Sequence, residues 1–187
     1  LMNVHPDVIR CNLNEAKAMI GLSPENASSN QTNLECGATE DKGITAVTSD
    51  CGIDSREDEI TGHEEAAAAA KALAKMLECI VLISGAVDVI SDGTRCVTVS
   101  GGSDRLKQIT GSGCMLSSLL GAFVGANADY FEAVSVAMCF YGYAGELAQQ
   151  KTAAAKAGNG SFRTYLIDSV YTMDIDELVK GAKYELK

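Results

Sequence analysis

The stretch Cys79-Ile80-Val81-Leu82-Ile83-Ser84-Gly85 decides the fold, because it is a continuous apolar run that ends in a serine and a glycine. A run of this kind predicts a β-strand that is buried on both faces. Residues 62–77 come just before it and contain five consecutive alanines. Alanine is the best helix former, and its small side chain lets a helix lie close to a sheet. The two segments together predict a helix packed against a central strand.

Strand and helix patterns continue on both sides of this pair. Asp7–Cys11 is a short apolar run after a proline and predicts a strand, and residues 87–99 predict a hairpin around an Asp-Gly turn. Helical patterns follow at residues 112–124, 129–151 and 161–170, and a short amphipathic tail begins at Thr172. This mixture predicts an α/β fold with three layers, formed by a single domain over residues 1–187.

The composition limits the possible partners and the compartment. The chain has 187 residues, and 15 Lys+Arg against 25 Asp+Glu give a net charge of −10. This acidic balance argues against nucleic acid as a partner. No apolar stretch reaches the length of a membrane span. Seven scattered cysteines without a C-x-x-C pair argue against a zinc site and predict a reducing, cytoplasmic setting.

Two regions have no clear pattern. Residues 23–61 are rich in Ser, Asn, Thr, Asp and Glu, and we expect a long surface insertion there with at most one short helix. The first residues, Leu1–Pro6, resemble neither a normal initiator nor a targeting segment. We therefore expect the chain to begin partway through a longer protein.

The strongest candidate site is Thr110-Gly111-Ser112-Gly113-Cys114, at the start of a predicted helix. Two glycines let the backbone approach a ligand closely, and the unpaired amides of the first helical turn point towards it. The helix dipole adds partial positive charge at the same place. Together these features predict an anion hole for a phosphate group or its transition state.

Several readings of this stretch stay open on pattern alone. The glycines can also serve only to allow tight contact between the helix and a strand. Cys114 lies in the first turn, where a helix N-terminus favours the thiolate, and it fits a nucleophile, a proton acceptor or plain packing. The stretch is not a P-loop, because the G-x-x-x-x-G-K-[ST] lysine is missing, and it lacks the third glycine of G-x-G-x-x-G.

Other polar residues have two readings each. Asn12 and Glu15 have the spacing of a capping box, and the same oxygens also suit support of a metal ion. Arg10, near the end of a strand, fits a surface ion pair as well as a ligand contact. Asp88 can stabilise the hairpin through a turn contact. Tyr141 and Tyr143 lie on a predicted helix and indicate core or subunit contact.

Four ordered motifs carry a family resemblance. Ile109–Ser117, which contains Gly111-Ser112-Gly113-Cys114, resembles the signature of hydroxyethylthiazole kinase, a thiamine-salvage kinase with the ribokinase-like fold. Val8–Glu15 resembles the family's V-I-R-G-N-x-x-E, Ile83–Asp88 its T-G-E-V-D, and Gly158–Phe162 its G-P-G-S-F. The resemblance runs along nearly the whole chain and is weakest through residues 23–61. It implies a three-layer α/β/α domain with a mostly parallel central sheet.

The resemblance also implies an activity. A kinase of this family transfers the γ-phosphate of ATP to the hydroxyl of 4-methyl-5-(2-hydroxyethyl)thiazole with Mg²⁺, in a homotrimer whose sites lie between subunits. By this resemblance, Gly111 contacts the substrate, and the catalytic turn consists of Gly111, Gly113 and Cys114. The nucleotide is bound by Arg10, Ser84, Thr110 and Ser112. The metal is organised by Asn12 and Glu15. Cys114 stands where related kinases place an aspartate, which predicts modest turnover.

The chain departs from the family pattern in ways that leave rivals open. Ala86 replaces a glutamate, Cys11 replaces a glycine, and Gln108 stands where a lysine is common. The family's N-terminal part is not present in these 187 residues, so the expected sheet is incomplete there. The rivals are a non-catalytic nucleotide- or thiazole-binding remnant, a subunit of a split enzyme, and a ribokinase-like kinase for another hydroxymethyl heterocycle.

Overall fold

The computed structural model describes residues 5–21 and 56–187. Within these residues, a five-stranded sheet has the strand order β1-β2-β3-β4-β5. The strands are β1 (Val8–Cys11), β2 (Ile80–Ile83), β3 (Asp88–Ser91), β4 (Cys96–Val99) and β5 (Tyr184–Leu186). The helices are α1 (Leu13–Gly21), α2 (Arg56–Leu77), α3 (Ser112–Ala126), α4 (Tyr130–Ala154), α5 (Asn159–Thr172) and α6 (Ile175–Gly181), with a short 3₁₀ helix over Asp104–Gln108.

The strand β2 has both faces buried, as its apolar sequence predicts. Val81 and Ile83 pack with α1 and α2 on one face, whereas Leu82 packs with α3, α4 and α5 on the other. Residues that alternate along a strand point to opposite faces, so a strand in the middle layer must be apolar throughout. The α/β class and the three-layer arrangement are confirmed.

The sheet is mixed rather than mostly parallel within the described residues. The pair β1–β2 is parallel, with Arg10 beside Leu82 and Cys11 beside Ile83. The pairs β2–β3, β3–β4 and β4–β5 are antiparallel. The physical reason lies in the connections, because a parallel pair needs a long crossover and short turns between strands force them to run in opposite directions. The turns after β2 and β3 are short, so the chain reverses direction at both steps, whereas β5 pairs with β4 only after the 3₁₀ helix and α3 to α6.

The alanine-rich helix packs on the sheet as its composition predicts. Ala70, Leu73 and Ala74 of α2 are fully buried in the core cluster that includes Val81 and Ile83. The helix begins at Arg56, which is six residues earlier than the predicted start at Gly62 and falls inside the expected surface insertion. The rest of that expected insertion, residues 23–55, lies outside the described residues.

The predicted hairpin and the later helices are present with small changes of boundary. The turn at Asp92-Gly93 joins β3 to β4, and Asp92 Oδ1 accepts the backbone N–H of Thr94 at 2.8 Å and that of Arg95 at 2.6 Å. The helix α4 ends three residues later than the sequence predicts, and α5 extends two residues further at each end. The tail forms α6 and then β5, a strand that the sequence analysis missed. Among the described residues, no helix is long and apolar enough to cross a membrane.

Gly93 has a conformation that a side chain disfavours, with φ at +92°. A Cβ there would lie 2.8 Å from Lys75 Cγ and 3.2 Å from Lys75 N at the end of α2. We therefore expect Gly93→Ala to lower the free energy of unfolding by about 1–3 kcal/mol, as measured by urea denaturation.

The matched control for this prediction is Gly121→Ala. Gly121 lies inside α3, and nothing lies within 4 Å of a Cβ built there. The same substitution should raise the free energy of unfolding by about 0.5–1 kcal/mol, because alanine favours the helix. Equal losses in both variants would contradict the role assigned to Gly93.

Candidate active site

A cleft of about 850 Å³ lies where the carboxyl ends of β1 and β2 meet the start of α3. Its walls come from the turn after β2, the loop after β4, the 3₁₀ helix, the first turn of α3 and the middle of α4. The parallel pairing places the ends of β1 and β2 side by side, and the backbone N–H of Ser84 donates to Cys11 O at 2.9 Å. Ligands commonly bind at this edge of parallel strands.

The helix α3 begins at Ser112, as the sequence predicts, and its first turn has free amides. Gly111 is the N-cap with φ at +91°, and it has no side chain to cap the helix. The first intrahelical bond runs from Met115 N–H to Gly111 O at 2.9 Å, so the amides of residues 112–114 precede the helical ladder. Ser112 and Gly113 line the cleft. The helix therefore presents its positive end to an open space.

Arg10 extends from β1 to the same turn. Its Nη1 donates to Gly113 O at 3.4 Å and to Ser117 Oγ at 3.3 Å. The guanidinium lies in the wall of the cleft and remains exposed. It brings a full positive charge to the place where the helix dipole ends, which favours an anionic ligand.

Two further hydrogen bonds hold the turn. The Tyr141 hydroxyl on α4 donates to Ser112 O at 2.8 Å. The Ser112 hydroxyl donates to Leu106 O of the 3₁₀ helix at 2.7 Å. With Arg10, these contacts tie the turn to three separate elements. These three anchors, two of them long-range, reduce the freedom of a glycine-rich segment that has little stiffness of its own.

The turn after β2 forms another part of the wall. Ser84 lines the cleft, and its hydroxyl also donates to Cys11 O at 3.4 Å. The backbone N–H of Gly85 donates to Asp88 Oδ1 at 3.1 Å, which confirms the predicted turn contact. Burial raises the pKa of Asp88 from an ordinary value of 3.8 to about 6, and the nearby charges of Arg10 and Lys107 offset this only in part.

A glycine pair after β4 completes the wall, and the sequence analysis did not single it out. Gly101 and Gly102 have φ at +156° and +108° and lie against Gly142 of α4. The N–H of Gly102 donates to Glu146 Oε1 at 3.2 Å. Lys183 Nζ donates to both oxygens of Glu146 at 2.7 and 2.9 Å, which links this wall to the C-terminal segment.

Asn12 and Glu15 form the predicted capping box at the start of α1. The N–H of Asn12 donates to Glu15 Oε2 at 2.8 Å, and the N–H of Glu15 donates to Asn12 Oδ1 at 2.9 Å. Both side chains are exposed and follow directly on β1, but they lie outside the residues that line the cleft. One carboxylate and one amide oxygen are a donor set that suits Mg²⁺, an ion that keeps several of its waters.

The structure therefore brings some predicted site residues together and separates others. Arg10, Ser84, Ser112 and Gly113 line one cleft, whereas Thr110, Gly111 and Cys114 lie beside it. Cys114 is exposed at the first turn of α3. The sequence analysis did not propose Asp88 or Tyr141 as parts of the site, although both line it. Asp88 lies in the motif Ile83–Asp88, which could have pointed to it, whereas no local pattern distinguishes Tyr141 from a core tyrosine.

Comparison with known proteins agrees with this geometry. The model of the hydroxyethylthiazole kinase family matches residues 42–176, which is more than half of the chain. The chain belongs to this family. A curated hydroxyethylthiazole kinase from Clostridium botulinum (strain Eklund 17B / Type B) is 38% identical over 183 residues, and one from Methanosarcina acetivorans is 36% identical over 183 residues.

A solved structure supports the same fold. The hydroxyethylthiazole kinase protein from Pyrococcus horikoshii OT3 aligns with a TM-score of 0.70 and 26% sequence identity, and the alignment covers 100% of this chain and 57% of that chain. The two curated relatives align with 98% of this chain and with 57% and 58% of their own lengths. The chain thus spans a little over half the length of the relatives it matches. The family resemblance and the ribokinase-like α/β fold are confirmed.

The half-buried carboxyl group of Asp88 gives a prediction about stability. The native state holds the Asp88 proton more tightly than the unfolded chain does, so its contribution to stability falls as the pH rises from 3.8 to about 6. Asparagine has no charge to desolvate, and its Oδ1 can still accept the Gly85 N–H. We expect Asp88→Asn to raise the free energy of unfolding by about 1–3 kcal/mol at pH 7.5 and to change it little at pH 4.

Urea denaturation at both pH values checks this prediction. Asp168→Asn, on the exposed side of α5, is the control because it makes the same chemical change outside the cleft. Its effect should be small and nearly equal at the two pH values. A gain in Asp88→Asn that is as large at pH 4 as at pH 7.5 would show that desolvation of the carboxylate is not the cause.

Proposed function

We propose that this chain carries the phosphate-transfer site of a hydroxyethylthiazole kinase, which moves the γ-phosphate of ATP to the hydroxyl of 4-methyl-5-(2-hydroxyethyl)thiazole. The observation that supports this most strongly is the uncapped start of α3, which opens into a cleft beside Arg10. Family membership supports the choice of reaction, because the matched relatives are named for that kinase activity. The chain spans about 57% of the first relative's length, so we propose the kinase activity for it on these two grounds.

The geometry is suited to positioning and electrostatic stabilisation. Phosphoryl transfer spreads negative charge over the equatorial oxygens, so it needs fixed donors more than covalent chemistry. The amides of residues 112–114 and the helix dipole provide such donors, and the Arg10 guanidinium adds charge and further N–H groups. Ser84 offers a hydroxyl at the carboxyl end of β2, beside the end of β1 that carries Arg10. We assign Arg10, Ser84, Thr110 and Ser112 to the nucleotide, and Gly111 to the alcohol substrate.

We assign Mg²⁺ to the end of β1, where Asn12 and Glu15 would hold it with the help of water. Both side chains present oxygen acceptors, and both are exposed. When bound, the ion would neutralise charge on the phosphates. The capping role and the metal role are compatible, because each of these oxygens has a second lone pair.

We assign Cys114 the role of proton acceptor for the substrate hydroxyl. Its exposed position in the first turn of α3 leaves it open to a substrate beside the cleft, next to the phosphate-binding amides. A thiol is less suited to this step than a tuned carboxylate, which fits modest turnover. The catalytic turn is then Gly111, Gly113 and Cys114, with the glycines giving room and the cysteine taking the proton.

The assembly and the compartment are also proposals. We infer a homotrimer, and exposed apolar side chains at Tyr171, Ile175 and Val179 offer surface for subunit contact. Five cysteines in the described residues are free thiols, which fits a reducing cytoplasm. The net charge of −10 fits small-molecule ligands and not nucleic acid.

The direct test is ATP-dependent phosphorylation of the thiazole alcohol by the purified chain, alone and mixed with the N-terminal part of a longer relative. Arg10→Gln should lower kcat/KM about 100-fold, because it removes a cation beside the transferring phosphate. Arg163→Gln is the control, since Arg163 is exposed on α5 and outside the cleft lining, and its kcat/KM should change less than twofold.

The possible outcomes separate the rival functions. Turnover by the chain only after an N-terminal fragment is added would indicate a split enzyme. Turnover of another hydroxymethyl heterocycle, with none of the thiazole, would replace the substrate in this proposal. Binding of ATP without turnover in any form of the protein would indicate a non-catalytic remnant.

Substitution of Cys114 tests its role separately. We expect Cys114→Asp to hold or raise kcat, because a carboxylate accepts a proton from an alcohol at least as well as a thiol does. Cys114→Ala should lower kcat about 100-fold, because it leaves no acceptor. Circular dichroism and ATP binding check that both variants keep the turn intact. Equal loss of kcat in the two folded variants would rule out proton transfer through position 114.

A further inference from the structure

Tyr141 is the buried polar residue in the cleft that the proposed mechanism leaves unused. It lies in the middle of α4, is 5% exposed, and lines the cleft. Its hydroxyl donates to Ser112 O at 2.8 Å across 29 residues of sequence. Burial raises the pKa of Tyr141 to about 12, so the hydroxyl keeps its proton and stays a donor over the whole working range of pH.

The accepting carbonyl belongs to the peptide group that also carries a phosphate-binding amide. A peptide unit is planar, so the Ser112 carbonyl and the Gly113 N–H point in opposite directions in one plane. The bond from Tyr141 is a second attachment for that carbonyl besides the first turn of α3, so it helps to fix the direction of the Gly113 N–H. Gly113 has no side chain that restricts its backbone, so this extra attachment matters most at the frayed start of the helix.

The next peptide unit is held in the same way from the opposite wall. Arg10 Nη1 donates to Gly113 O at 3.4 Å, and that carbonyl shares its plane with the Cys114 N–H. Two donors from two different elements thus orient two consecutive peptide planes. The Ser112 hydroxyl bond to Leu106 O adds a third attachment at the start of the turn.

We propose that Tyr141 is a positioning residue for phosphoryl transfer, which aims the Gly113 amide into the cleft through its bond to the Ser112 carbonyl. This inference rests on the proposed function of the same site. Fixed donors stabilise a transition state more than misaligned ones do, because they need no reorganisation as charge develops. A role that matters in the transition state appears in kcat, whereas a loss of general binding appears in KM.

The kinetic test is Tyr141→Phe in whichever preparation phosphorylates the thiazole alcohol, the chain alone or the chain with the N-terminal part of a relative, and Tyr143→Phe is the matched control. Tyr143 is two residues away on the same helix, and its ring contacts Gly181 of α6 instead of the turn. Tyr141→Phe should lower kcat about tenfold, with KM for ATP and for the thiazole alcohol within twofold of the parent. Tyr143→Phe should keep both kcat and KM within twofold.

A second readout does not need catalysis. Hydrogen exchange in the purified chain, followed by mass spectrometry or NMR, reports on the amides of residues 112–115. Tyr141→Phe should speed exchange there about fivefold or more relative to Tyr143→Phe, because the turn loses one attachment. Exchange in the sheet should stay equal in the two variants.

These outcomes distinguish the two proposals. If the parent enzyme fails to phosphorylate the thiazole alcohol, the proposed function falls, and hydrogen exchange still tests the positioning. If the parent is active and Tyr141→Phe matches Tyr143→Phe in kcat and in exchange, the inference is overturned. A rise in KM with unchanged kcat would also overturn it, because it would assign Tyr141 to ground-state binding.

Discussion

The backbone amides at the start of α3 are the constraint on which the site depends. A helix leaves its first amides without acceptors, and here Gly111 offers no side chain to satisfy them. The arrangement is stable because the amides open into a polar cleft where water or an anion can accept from them. Gly111, with φ at +91°, sets the angle at which the chain enters the helix. The hydrogen bonds of Ser112 and Tyr141 hold this turn in place, and Arg10 adds positive charge beside it.

The parallel edge of the sheet supplies that charge, and the antiparallel part supplies rigidity. Pairing of β1 with β2 brings the ends of both strands to one place, so that Arg10 and Ser84 reach the same cleft. Ser84 is 73 residues along the chain from Cys11, the residue that follows Arg10. The strands β3 and β4 follow β2 through short turns and bury apolar side chains on both faces, whereas β5 adds an exposed edge strand after the helices. A stiff sheet between two helical layers holds the wall residues at constant distances.

The polar contacts of the cleft divide into those near its surface and those deeper in the fold. Arg10 remains exposed, so its guanidinium can exchange protein acceptors for a ligand. Tyr141 is buried and keeps one acceptor, because an unmade bond in that position would be costly. Glu146 ties the glycine loop to Lys183, the residue before β5, so the cleft wall is anchored to the C-terminal segment. The exposed Arg10 is thus available to a ligand, while the buried Tyr141 is bound to the backbone.

The sequence by itself determined the elements whose signals are local: the apolar run of β2, the alanine-rich helix, the Asp-Gly hairpin, the capping box at Asn12 and the helix start after Gly111. Its ordered motifs also pointed to the family. Only the tertiary structure decided the direction of β3 relative to β2, the pairing of β5 with β4, and the contacts of Tyr141 and Glu146. The reason is physical: periodicity and capping act over a few residues, whereas these contacts join side chains and peptide groups that are far apart along the chain and meet only when the layers pack.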